Sequence, residues 1–151
     1  MLMSVDPGNR VGVATFKDDG TDISRTIMGL PQFRKFLAMV YFQVQTSGEK
    51  LHFLYEDYTL RKDMAIAQTG SDMPASRCIG AVEMTHDLLG DRSTIDVSLP
   101  SNLRTALKWA GFPELANKPR TWHCPDDLSA YSHGVMWLIN KNVRKHPLFE
   151  S

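Results

Sequence analysis

Hydrophobic and polar positions change their period several times along the chain, and each change predicts an element. Leu2 to Val5 and Val11 to Phe16 are apolar runs separated by Pro7-Gly8-Asn9, the pattern of two strands around a tight turn. Asp18-Asp19-Gly20 is a second turn signal, and Thr21 to Ile27 reads as a third strand, which makes an antiparallel meander. From Pro31 the period becomes helical. Phe33, Phe36, Leu37, Val40 and Tyr41 share a face, and Ser47-Gly48 ends the helix. "LHFLYE", residues 51 to 56, is a short continuous apolar run, as expected of a buried strand. Asp57 to Ala75 is polar and reads as a loop or a frayed helix start.

Ser76 to Leu89 predicts a second helix stopped by Gly90, and Thr94 to Leu99 a fifth strand closed by Pro100. Ser101-Asn102 are placed to cap a short helix running through Trp109. Leu128, Tyr131, Val135, Leu138 and Ile139 lie on one face of a last helix, from Pro125-Asp126 to about Asn142. The order β-β-β-α-β-α-β-α-α predicts an α/β fold. Its five-stranded mixed sheet has three antiparallel meander strands, then alternating helices and strands, with helices on both faces. No linker or repeat interrupts it, so residues 1–151 are read as a single domain.

Composition narrows the function classes. Lys plus Arg and Asp plus Glu both number 17, so any polyanion-binding surface must come from local segregation of charge. Cys78 and Cys124 form no CxxC pair and read as reduced, partly buried thiols. No apolar run approaches the roughly 20 residues of a membrane span, and no signal-peptide pattern opens the chain. The expectation is a soluble, cytoplasmic protein.

Candidate chemistry lies in the acids. Asp6 ends the first strand, Glu56 ends the fourth, and Asp126 and Asp127 open the last helix. Singly, they read as a turn former, a solvated strand end and a helix start. Together they matter more, because functional groups collect at the carboxyl ends of strands in such sheets. Clustered carboxylates repel one another and call for a cation, and an oxygen-only donor set selects Mg²⁺ or Mn²⁺. Two such ions about 3.5–4 Å apart support phosphodiester hydrolysis.

Several stretches carry a resemblance. "VDPGNRVGVA", "LYEDY", "SRCIGAVEM", "LPSNLRTALKWAG" and "HCPDDLSAYSHGVMWL" occur in the order of the motifs of RuvC-like Holliday junction resolvases. These belong to the RNase H-like superfamily, and the chain resembles the phage-encoded branch in particular. The resemblance covers nearly the whole chain. It implies an RNase H-like nuclease domain and a metal-dependent, structure-specific endonuclease that cleaves Holliday junctions and other branched DNA, forks and flaps included, leaving a 5′-phosphate. It implies Asp6, Glu56, Asp126 and Asp127 as ligands of two Mg²⁺ ions, for which Mn²⁺ substitutes. A phage-encoded chain would work in the cytoplasm of its bacterial host. The last motif departs from the family pattern, because Ser129 stands where many members carry a second acid. His133, one turn beyond Ser129, is placed to ligate a metal, orient water or donate a proton.

Basic residues flank each acidic element. Arg10 follows the first; Arg61, Lys62 and Arg77 follow the second; Arg104, Lys108, Lys118 and Arg120 precede the third. They are the candidate phosphate contacts. By resemblance, Arg104 or Lys108 takes the DNA-facing basic role. Tyr58 is a candidate for stacking on an unpaired base. A four-way junction is nearly two-fold symmetric and matches a C₂ homodimer, with helix 76–89 as the contact the resemblance implies. Binding of junctions without cleavage is the competing reading, supported by Ser129. An actin-like or sugar-kinase-like nucleotide fold also opens on strand-Asp-Gly-strand, but it needs a second phosphate loop and a longer chain.

Overall fold

The computed structural model describes residues 1–57 and 73–149. Most of the polar stretch expected between 57 and 75, with Tyr58, Arg61 and Lys62, lies outside the described residues.

Five strands form one sheet: β1 (Leu2–Asp6), β2 (Arg10–Phe16), β3 (Asp22–Gly29), β4 (Leu51–Glu56) and β5 (Ser93–Ser98). Their spatial order is β3-β2-β1-β4-β5. The meander β1-β2-β3 is antiparallel, while β4 and β5 add to β1 in parallel, so β1 is the central strand. Central strands covered on both faces read as unbroken apolar runs, which is why β1 and β4 show little alternation.

Helices cover both faces. α1 (Leu30–Ser47) and α2 (Pro74–Leu89) lie on one. There Phe33, Leu37, Val40 and Val44 of α1 and Cys78, Val82 and Leu89 of α2 meet Met3, Val5, Val11, Val13 and Phe53 of the sheet. On the opposite face α5 (Asp126–Asn140) sets Ala130, Val135, Leu138 and Ile139 against Leu2, Ala14, Phe16 and Leu54. The two sets of sheet residues alternate along each strand, as the period of two requires. Each fully buried Val, Leu or Phe contributes about 1.5–3 kcal/mol by leaving water. Two short helices, α3 (Leu103–Trp109) and α4 (Pro113–Ala116), build a third cluster of Leu107, Ala116, Cys124 and Leu128 beside α5.

Several local expectations are corrected. Helix α2 begins at Pro74 rather than Ser76, with proline in its first turn, where the missing N–H costs nothing. Ser101-Asn102 do not cap α3 through their side chains; residues 100–102 form a 3-10 turn that leads into it. α4 was not expected, because four residues after a proline carry no readable period. Helix α5 ends at Asn140, and Asn142 follows in the left-handed region at φ 59°.

Candidate active site

Three carboxylates from distant segments meet at one end of the sheet. Val5 pairs with Tyr55 in the parallel β1–β4 ladder, so Asp6 and Glu56 leave adjacent strand ends. Asp126 arrives on α5, and its approach depends on a glycine. Gly12 pairs with Asp6 across the β1–β2 ladder. A Cβ on Gly12 would overlap the Asp126 carbonyl and stand 2.8 Å from the Asp127 nitrogen, so the first turn of α5 rests directly on bare β2 backbone. Eight residues along, on the same helix face, Gly134 meets the Phe16 ring; a Cβ there would lie 2.5 Å from Phe16 Cε2. These two close approaches fix the seat of α5 and bring Asp126 to Asp6.

Crowding shows in the electrostatics. The Asp6 carboxyl is pushed up to about 9, first by burial, then by the charges of Glu56 and Asp126, and it hydrogen-bonds with both. Its protonated form donates to one neighbour or the other; its ionised form puts a third negative charge beside two. Among the described residues, no group of three or more His, Cys, Asp and Glu side chains is arranged to hold a metal ion. The acids instead contact one another.

A polar chain supports Glu56 from behind. Ser129 donates to Glu56 Oε2 at 3.0 Å. His133, 2% exposed, places Nε2 4.0 Å from the same oxygen, too far for a hydrogen bond. That Nε2 has no hydrogen-bond partner. On the other side of the ring, Nδ1 shares a 2.5 Å hydrogen bond with the Ser98 hydroxyl. Ser98 ends β5 in register with Glu56. Burial lowers the affinity of His133 for a second proton, and Glu56 opposes that effect. If Nδ1 holds the ring proton and donates to Ser98, Nε2 offers a lone pair toward the carboxylates. If Ser98 donates, Nε2 carries the proton toward Glu56.

The remaining predicted residues are placed as follows. Asp127 pairs with β3, where Arg25 Nε lies 3.4 Å from its Oδ2 and the Arg25 guanidinium sits over the Tyr131 ring. Cys124 is free and buried, and its thiol is pushed up to about 12 by burial and then by Asp6, Glu56, Asp126 and Asp127. Cys78 is likewise free and buried, pushed up to about 12 chiefly by burial. Arg10 is exposed at the start of β2, Arg77 at the start of α2 and Lys108 on α3. Arg104 donates to the carbonyls of Ala116 at 2.6 Å and Lys118 at 3.1 Å, so its guanidinium also pins the segment after α4. Arg104, Lys118 and Arg120 line one cleft, together with Trp122 and Cys124.

Sequence reasoning missed Ser98, Gly12, Arg25 and Trp122. A glycine inside a strand pattern signals close backbone approach, and "RVGVA" carried that signal. Ser98 depends on strand register, which the sequence alone does not give.

No family model and no curated protein matches the sequence. A solved structure does match: T. thermophilus RuvC in complex with Holliday junction substrate, with a TM-score of 0.51 at 11% identity over 89% of this chain and 90% of that one. The fold is RuvC-like. The mixed five-stranded sheet with helices on both faces is as expected from the sequence. In the RuvC-like frame the acids occupy neighbouring strand ends and the start of the last long helix. Among the described residues no helix is long and apolar enough to cross a membrane.

Proposed function

We propose that this chain is a metal-dependent endonuclease that cleaves Holliday junctions and other branched DNA, of the phage-encoded RuvC-like type. The observation that carries the reading is the convergence of Asp6, Glu56 and Asp126 at the end of a RuvC-like sheet. The donor set fits the proposed ions: it is all carboxylate oxygen, its central member is crowded by like charge, and an unpartnered imidazole nitrogen faces it. Asp6, Glu56 and Asp126 would hold Mg²⁺ or Mn²⁺, with Asp127 beside them. When bound, the two ions supply charge to activate a water and to stabilise the leaving oxygen.

The protein's own groups do the rest. Ser129 donates to one Glu56 oxygen and fixes the rotation of that carboxylate. His133, held by Ser98, is the group placed to orient the attacking water or protonate the leaving oxygen. Arg10, Arg77, Lys108, Lys118 and Arg120 are the proposed phosphate contacts, joined by Arg61 and Lys62. For paired cuts we assign a homodimer through α1 and α2. Phe42, Met84 and Leu88 are each at least 60% exposed and border a groove of about 330 Å³ between these helices.

A second reading is binding of junctions without cleavage. It is favoured by Ser129, which offers a hydroxyl at the place of the last motif's second acid. Incubating a synthetic four-way junction and a matched duplex with Mg²⁺, Mn²⁺ or EDTA separates the two. Symmetric, metal-dependent nicks on the junction alone support the nuclease, and Asp6→Asn should abolish them while sparing binding. Binding with no nick in any metal supports the second reading. Undiminished cutting by Asp6→Asn removes the proposed site.

A further inference from the structure

The cleft between α3, α4 and the segment before α5 sets an aromatic and apolar lining, which the proposed chemistry does not use, beside the phosphate contacts Lys118 and Arg120. It encloses about 280 Å³, near the lower end of the range of small-ligand sites. Arg104, Lys118 and Arg120 contribute positive charge, and none forms an ion pair with a carboxylate among the described residues. Leu107 and Cys124 give it an apolar floor. Trp122 packs partly on the cluster of Leu107, Ala116, Cys124 and Leu128 and also lines the cleft. Cys124 is two residues from Asp126, so the floor adjoins the carboxylates.

An aromatic plane, an apolar floor and a cationic rim match a nucleotide, with a flat base and an anionic phosphate, better than a phosphate alone. Arg104 is held by the carbonyls of Ala116 and Lys118, so part of the rim is rigid before anything binds. We propose that this cleft binds one nucleotide of the DNA strand next to the scissile phosphate, its base stacked on Trp122 and its phosphates met by Lys118 and Arg120. The position of this nucleotide next to the scissile phosphate rests on the nuclease reading.

Tryptophan emission tests it in the full chain, with EDTA present so that no strand is cut. The chain has three tryptophans. Trp109 stacks edge-on with His146, and Trp137 donates to Asp96, so both have other partners. Titration with oligothymidylate should quench emission saturably, and Trp122→Phe should remove most of the change assigned to that ring. Trp122→Ala should weaken binding roughly tenfold, within the range for one lost base stack. The paired change Lys118→Ala and Arg120→Ala touches exposed side chains and serves if Trp122→Ala fails to fold. It should reduce the slope of log affinity against log salt by about 0.7 for each cation removed.

Unchanged affinity and salt slope in the paired variant, with Trp122 unquenched in the wild type, would overturn the proposal. Equal affinity for thymidine 5′-monophosphate and oligothymidylate would also overturn it, because the cleft would then be a free-nucleotide site. If the wild type nicks no junction in any metal but Trp122 is still quenched by oligothymidylate, the nuclease reading fails and the nucleotide cleft stands.

Discussion

Replacing Gly12 with alanine tests how the site is assembled, with no functional group removed. The new Cβ would overlap the Asp126 carbonyl and press on the Asp127 nitrogen. Neither is a side chain that can swing aside. The first turn of α5 must withdraw by roughly 1 Å before the contact becomes tolerable, and a displacement of that size costs about 100-fold when it misplaces a reacting group. Overpacking also costs about 1–3 kcal/mol of stability. For a chain of this length that is about 2–4 °C in Tm per kcal/mol. The assay is the first-order rate of junction nicking under saturating Mg²⁺, paired with a thermal melt. Gly12→Ala should lose about two orders of magnitude in rate while remaining folded at the assay temperature. Gly134→Ala is the control. Its Cβ would strike the fully buried Phe16 ring, so it should cost comparable stability but less rate, because the strain falls two turns away from Asp126. A Gly12→Ala protein with wild-type rate and Tm would refute the idea that this close approach seats the carboxylates.

Other outcomes follow from the same geometry. Ser129→Ala removes the donor to Glu56 Oε2 and should lower nicking by about 10–100-fold, with junction affinity by anisotropy unchanged; equal loss of both would point to a folding defect. Asp6 has its pKa raised from 3.8 to about 9, so the folded chain holds that proton more tightly than the unfolded one. Stability of the metal-free protein should therefore be greatest at low pH, as far as this group is concerned, and fall as pH rises from about 4 towards 9. Melting curves in EDTA should show that decline in the wild type and a flatter profile in Asp6→Asn; matching profiles would contradict it. Mg²⁺ should restore Tm most at the alkaline end. Phe42→Glu with Met84→Glu puts charge on the exposed α1–α2 groove and should give a monomer by light scattering that has lost paired cuts on junctions.

Much of the architecture was legible because burial imposes periods. The α1 face of Phe33, Leu37 and Val40 and the apolar runs of β1 and β4 are set by which layers cover them. Singly, Asp6, Glu56 and Asp126 read as a turn former, a strand end and a helix start; their joint placement at strand ends and a helix start pointed to the convergence that the fold brings about, and the resemblance supplied the role. What stayed hidden depends on register and three-dimensional approach. Ser98 reaches His133 because β5 pairs with β4 at Glu56, and no local pattern encodes that pairing. The pairing of Asp127 with Arg25 depends on β3 lying next to β2. Helix α4 is too short to have a period.

The seating of α5 on Gly12 has a temporal consequence. Asp6 and Asp126 stand 120 positions apart, and β1 has finished its part long before α5 exists as a chain. Sheet strands β1 to β5 can pair before residue 126 is made, yet the cluster stays open until the final long helix docks. A nascent chain on the ribosome therefore carries Asp6 and Glu56 without the third acid. The order of synthesis thus makes the docking of α5 on β2 the step that completes the three-acid cluster.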